Sequence, residues 1–328
     1  MKTVLVTGAA GFIGSHLAKK LSTMNCKLRL VDDFSRGKER YLRYLGVHEP
    51  CIRMDLREYT GYNKGYFEGV DEVYHIASRI GGNQYLHGSA KNELRALQDN
   101  MAIDRNVFRI CKENNVKKII FTSSVSVYNT QSQYSTDMVF SEKDLGKMKV
   151  DPEGGYGWAK YIAEKQLDWL SEMGIDVGIS RIFKSYGPCD DYSEESGQVV
   201  CSLIRKAINY PKEPFIVWGD GSVERCLVYI DDLIDGLIKL SRYCNGRSLT
   251  VNMGGNASHK IISLANNIVN VSKKNIKIEH DMSKPVGVVS RIPSLSLARD
   301  KLNWSPSTSL DIGLTKTYKW MEHELSRN

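Results

Sequence analysis

At 328 residues and 41% hydrophobic composition, the chain can bury one large core or two packed lobes, which excludes a disordered or fibrous protein. Its net charge of +7 comes from basic residues spread along the chain and mixed with acids; no basic stripe or reader motif points to nucleic acid, whereas a mild positive bias suits a phosphorylated small substrate. Seven scattered cysteines without a Cys-x-x-Cys pair argue against a metal site or redox couple, and no run approaches the roughly 18 uninterrupted apolar residues of a membrane span.

Residues 1–7 run straight into an apolar strand pattern without a charged leader, so a cytoplasmic protein with no secretion signal is expected. A strand at 4–7 passes through a glycine-rich turn into a helix at 13–24, followed by strands at 27–31 and 70–76. Leu94, Leu97, Met101, Val107, Phe108 and Cys111 recur at helical spacing and predict a helix over 92–114. An isoleucine-rich strand follows at 118–123, then a polar stretch at 129–155 that reads as a long loop beside the site. A helix at 156–173 and a strand at 176–182 complete the alternation, which weakens beyond that point. The expected fold is α/β: a doubly wound parallel sheet of the Rossmann type over 1–180, with a smaller C-terminal substrate-binding lobe over 181–328 that returns some strands to the first domain.

Gly8-Ala9-Ala10-Gly11-Phe12-Ile13-Gly14 follows the first strand directly and opens the first helix, where glycines permit a tight turn and close approach of backbone amides to a pyrophosphate. The second strand ends in Asp32 and Asp33, about 20 residues onward, where a ribose-binding acid belongs. A carboxylate at Asp32 accepts ribose hydroxyls and repels a 2′-phosphate, which favours NAD over NADP, although Arg36 stands nearby. Asp55 is a candidate partner for the adenine amino group.

Tyr156 and Lys160 lie four apart, on one face of one helix, and an ammonium beside a phenol favours the phenolate that a general base requires. Ser124 ends a buried strand, where a hydroxyl meets the crevice of an open α/β sheet. With these residues, His75-Ile76-Ala77, Arg181 to Pro188 and Asp231-Asp232, the chain resembles the extended short-chain dehydrogenase/reductases that modify nucleotide sugars, over nearly its whole length. The resemblance implies that Tyr156 takes the proton of a sugar hydroxyl, Lys160 holds the nicotinamide ribose and Ser124 orients the hydroxyl. It implies a cofactor wall built from Gly8, Gly11, Phe12, Ile13, Gly14, Asp32, Asp33, Asp55, Leu56, Ile76, Ala77, Asn100 and Ser123 as well. For the substrate it points to Gly81, Gly82, Asn83, Lys184, Trp218, Gly219, Arg225, Asn252 and Arg291, with Arg225 and Arg291 pairing with the diphosphate. Family members pair the 92–114 and 156–173 helices between subunits, so a homodimer is expected.

Within that family, residues 80–83, 218–221 and 291–306 are similar to the GDP-mannose 3,5-epimerases. Those enzymes have a cysteine acid/base where this chain has Ser126, and a lysine where it has the acidic run 190–195. A serine hydroxyl is too weakly acidic to replace a thiol unaided, and His87 and Lys91 are the nearest substitutes by sequence. Family dehydratases show Asp-Glu in place of Val125-Ser126, whereas Ser124-Val125-Ser126 is similar to the 4-epimerases. The expected activity is therefore epimerisation of a GDP- or UDP-sugar through a 4-keto intermediate. A 4-dehydrogenase releasing the keto sugar needs the same residues; a 3,5-epimerase, a decarboxylase, a 4,6-dehydratase and, outside enzymes, an idle NAD-binding protein are the alternatives.

Overall fold

The structure is a computed structural model that describes residues 1–135, 138–194, 196–284 and 286–326, with Asn83 described by its backbone only. Seven strands form one parallel sheet: β1 (Lys2–Thr7), β2 (Cys26–Asp32), β3 (Cys51–Arg53), β4 (Glu72–His75), β5 (Lys118–Ser124), β6 (Asp176–Ile182) and β7 (Leu249–Met253). Their order across the sheet is β7-β6-β5-β4-β1-β2-β3. Every residue of β4 and β5 is buried, as befits parallel strands covered on both faces. The chain winds outward from β1 in both directions, pairing it with β2 on one side and β4 on the other, and the crevice between their carboxyl ends is where such sheets bind ligands.

Helices fill both faces because their apolar stripes need a partner. On one face, Leu17 and Leu21 of the Phe12–Ser22 helix pack with Leu233, Leu237 and Leu240 of the Ile230–Tyr243 helix. On the other, Val107, Ile110 and Cys111 of the Ala90–Glu113 helix meet Ala163, Leu167 and Leu170 of the Gly154–Glu172 helix over Ile119 and Phe121 of β5. Each fully buried large apolar side chain contributes roughly 1.5–3 kcal/mol. The Ala90–Glu113 helix begins where the Ser89 hydroxyl accepts a hydrogen bond from the Asn92 amide at 3.2 Å, a start two residues earlier than periodicity alone suggests.

Two expectations need correction. The stretch 129–155 is not a plain loop: it contains 3₁₀ turns at Gln131–Tyr134 and Glu142–Gly146, and Val139–Phe140 pairs with Ile292–Pro293. Its sparse apolar residues are the reason, since Phe140 packs fully buried against Tyr128 and Phe183. Strands β3 and β7, absent from the periodicity reading, add the two sheet edges. No helix among the described residues is long and apolar enough to cross a membrane.

Candidate active site

A cavity of about 560 Å³ opens at the carboxyl ends of β1, β4, β5 and β6. Its floor is the glycine turn. Gly8 has φ +67°, and a Cβ there would sit 2.8 Å from the Ala77 backbone; a Cβ on Gly14 would lie 1.9 Å from the Gly8 carbonyl oxygen. Only glycine lets β1, its turn and the β4 exit come together so closely, leaving helix-start amides facing the cavity. Asp32 stands at the rim and accepts hydrogen bonds from the amides of Ala10 (2.9 Å) and Phe34 (2.8 Å), while burial pushes its carboxyl up. Arg36, the residue that clouded cofactor choice, is held by Asp191 and by Ser196 (3.3 Å). Asp55 lines the wall, but Arg57 chelates both its oxygens and holds its carboxyl below the usual range.

The hydroxyl, phenol and ammonium converge at the inner end. Tyr156 is buried, and the Ser124 and Ser78 hydroxyls beside it favour its phenolate. Burial raises its phenol, and the Lys160 ammonium lies 5.9 Å from the Tyr156 ring centroid. Lys160 is 1% exposed, its Nζ has no hydrogen-bond partner among the described residues, and burial lowers its pKa. A buried, unpaired ammonium is costly. It fits a polyhydroxylated group arriving in the cavity, and the glycine cradle below it fits a pyrophosphate; together these residues suit a dinucleotide.

The opposite wall is cationic. Lys184 is pushed down by burial and by Arg225, and Asp190 is pushed up by burial. Among the described residues the Arg225 guanidinium donates only to carbonyls, those of Glu224 (2.7 Å) and Val289 (3.5 Å). Burial and the charge of Arg291 act against it, so an anion is its natural complement. Arg291 is paired with Glu153, whose carboxylate also accepts from the Ser126 hydroxyl at 2.9 Å. Burial would raise Glu153, but Arg291 and His87 outweigh it and hold the carboxyl down.

Most sequence candidates line this cavity: Gly8, Gly11, Phe12, Ile13, Gly14, Asp32, Asp33, Asp55, Leu56, Ile76, Ala77, Gly81, Ser123, Ser124, Ser126, Tyr156, Lys160, Lys184, Arg225 and Arg291. Others do not. Asn100 is buried and accepts from Ser78 and the Arg79 amide while donating to the Arg79 and Ala96 carbonyls, so it shapes the wall from behind. Asn252 is likewise buried, bonded to Tyr128 and Phe140. Trp218 is 41% exposed, and Gly219 lies behind Val286, which lines the cavity in its place. Gly82 binds the Ser196 carbonyl through its amide (2.8 Å), and the Asn83 side chain lies outside the described residues. Of the acidic run 190–195, Asp190 and Asp191 face the cavity, and Glu195 lies outside the described residues. Sequence reasoning passed over Glu153; the one signal was its place three residues before Tyr156, between a proline and two glycines.

Comparison with known proteins agrees with this geometry. Residues 4–254 match the NAD dependent epimerase/dehydratase family. Over 325 residues the chain is 26% identical to GDP-mannose 3,5-epimerase 1 of Oryza sativa subsp. japonica, covering 99% of this chain and 82% of that protein. It is 28% identical over 326 residues to UDP-glucuronic acid decarboxylase 1 of Xenopus tropicalis, covering 99% and 73%. Among solved structures, the UDP-N-acetylglucosamine 4-epimerase of Methanobrevibacter ruminantium M1 in complex with UDP-N-acetylmuramic acid superposes with a TM-score of 0.86 at 26% identity, over 98% of this chain and 99% of that one. The UDP-glucuronic acid 4-epimerase of Bacillus cereus in complex with UDP-glucuronic acid and NAD gives 0.84 at 25% identity, over 98% and 99%. The family match reaches all seven strands and the whole hydroxyl, phenol and ammonium set, and on it the chain belongs to the NAD-dependent epimerase/dehydratase family of extended short-chain dehydrogenase/reductases.

Proposed function

We propose that this protein is an NAD-dependent epimerase of a GDP- or UDP-sugar that works through transient oxidation at C4. The observation that carries the reading is the Tyr156 phenol beside Ser124 and beside Lys160, whose Nζ has no hydrogen-bond partner among the described residues, in a cavity whose far wall presents Arg225. Ser124 orients the C4 hydroxyl, Tyr156 accepts its proton, and Lys160 holds the nicotinamide ribose; bound NAD supplies the hydride acceptor. Asp32 meets the adenosine ribose, and Arg225 and Arg291 meet the diphosphate, for which guanidinium forks are suited. The relatives named above, which act on nucleotide-activated sugars according to their names, support this class of substrate. We further propose that residues 1–180 serve the cofactor and 181–328 mainly the substrate, in a cytoplasmic homodimer.

Incubating the protein with NAD and GDP-, UDP-, CDP- or dTDP-sugars, and reading products by mass spectrometry and proton NMR, tests this. The expected result is an epimer of unchanged mass from a GDP- or UDP-sugar. Accumulation of a keto sugar two hydrogens lighter would replace epimerase with dehydrogenase, and loss of water or CO₂ would replace it with a dehydratase or decarboxylase.

A further inference from the structure

Hydride transfer at C4 leaves Glu153 without a task, although its carboxylate lies in the same cavity. The Glu153 amide donates to the Ser126 carbonyl at 2.8 Å, and its Oε2 accepts from the Ser126 hydroxyl at 2.9 Å. The Ser126 amide in turn donates to the Ser124 hydroxyl at 3.2 Å, the group that meets the Tyr156 phenol. Close packing fuses the two segments, because a Cβ on Gly157 would sit 2.4 Å from the Ser126 carbonyl oxygen. The carboxylate is thus anchored to the turn that carries the reaction's hydroxyl, one side chain away from it. Arg291, Arg225, His87, Lys184 and Tyr156 are the charged and titratable groups around it, and the Ser126 hydroxyl donates to it.

We infer that Glu153 is a second acid/base of the site, removing and returning a carbon-bound proton at C3 or C5, next to the ketone formed at C4. This rests on the C4-oxidation reading above. A ketone acidifies the C–H bonds beside it, so oxidation at C4 is what makes such a proton removable. In the step, the C–H electron pair becomes a carbon–carbon double bond, the carbonyl π pair moves to the C4 oxygen, and the proton goes to the Glu153 carboxylate. Ser124 and Tyr156 hydrogen-bond the resulting oxyanion. Reversal returns the proton from Glu153 to the same face and reforms the C–H bond and the ketone, so the step exchanges the proton with no net redox change. Arg291 pairs with Glu153 and holds its carboxyl below the usual range. A diphosphate drawing that guanidinium away strengthens the carboxylate as a base, which couples proton removal to substrate binding.

The test is solvent-deuterium incorporation into UDP-glucuronic acid, UDP-N-acetylglucosamine and GDP-mannose, incubated with the NAD-loaded protein in deuterated water. Carbon-bound deuterium at C3 or C5 is read by NMR, and reduced nicotinamide by absorbance in single-turnover samples. With at least one sugar the wild type should show both signals. Glu153→Gln, which preserves the size and hydrogen-bonding reach of the side chain, should lose about 10²- to 10⁴-fold of the deuterium exchange against less than tenfold of the hydride signal. Glu153→Asp should fall between the two and guards against a Gln variant that fails to fold. Hydride transfer without exchange in the wild type, or equal loss of both signals in the variants, overturns the role of Glu153 and leaves C4 oxidation standing. Absence of reduced nicotinamide and of product with every sugar overturns the C4 reading and this proposal with it.

Discussion

Replacing Lys160 by Met separates a cofactor-binding ammonium from a structural one. The Lys160 Nζ is fully buried without a hydrogen-bond partner among the described residues, 4.4 Å from the Phe121 ring centroid, with Asp104 and Glu164 as the nearby opposite charges. Removing an unsatisfied buried donor relieves about 1–3 kcal/mol, and losing a desolvated cation–π contact costs about 2 kcal/mol. Methionine fills most of the same volume and so avoids the large cavity penalty of truncation. The opposing terms leave the ligand-free protein within about 1 kcal/mol of wild type. Binding has no such cancellation: lost charge-assisted hydrogen bonds to the ribose are worth about 1.5–3 kcal/mol, which at about 1.4 kcal/mol per tenfold is a 10- to 150-fold weaker NAD complex. Thermal denaturation without cofactor and calorimetric titration of NAD read the two quantities. A ligand-free destabilisation beyond about 3 kcal/mol, or an NAD affinity unchanged in the variant, would show that the ammonium serves the fold.

Asp32 at the cavity rim, with Arg36 engaged by Asp191, predicts NAD binding well above NADP; equal or tighter NADP binding by calorimetry would refute the role of Asp32. Tyr156→Phe should lower turnover about 10²- to 10⁴-fold with NAD affinity nearly intact, and activity close to wild type would remove the phenol from the chemistry. His16 is kept neutral in the fold chiefly by burial, its Nε2 2.9 Å from the Pro188 carbonyl oxygen, and its pKa is lowered from 6.5. The unfolded chain takes up that proton and the folded one does not. Stability therefore falls as pH drops below 6.5, by up to about 1.4 kcal/mol per pH unit. His16→Gln should flatten the melting-temperature slope on the acid side, and parallel slopes would contradict this. The exposed Leu94, Met101, Trp169 and Met173 on the Ala90–Glu113 helix and around the Gly154–Glu172 helix should be covered in a homodimer; a monomer mass by light scattering at micromolar concentration would refute it.

The central strands were legible because parallel strands buried on both faces read as unbroken apolar runs, as in Ile119 to Phe121 of β5. The edge strands were not. β3 is three residues long, and β7 reaches its place only by pairing with β6, whose residues lie about 70 positions earlier in the chain. Neither length nor local pattern announces such a partner. The turns within 129–155 failed for a related reason: Met138-Val139-Phe140 is a short apolar run in a polar stretch, and the burial of Phe140 is decided by Tyr128 and Phe183, on either side of the stretch.

Functional residues divide along the same line. The glycine turn and the Tyr156 and Lys160 pair are local, fixed by turn geometry and by one helical turn, so spacing alone reveals them. Charge pairing is not local. Arg36 stands four residues after Asp32, where it seemed to bear on a 2′-phosphate, yet its partner Asp191 arrives from the other end of the site. Glu153 and Ser126 are 27 residues apart and meet because the Gly154–Glu172 helix starts against the turn leaving β5. The two arginines of the far wall look alike in the sequence and differ in the fold. Arg291 already has a carboxylate and Arg225, among the described residues, has only carbonyls, so an arriving diphosphate gains most at Arg225, and it can reach Arg291 only by competing with Glu153. That competition ties the charge of the substrate to the basicity of Glu153.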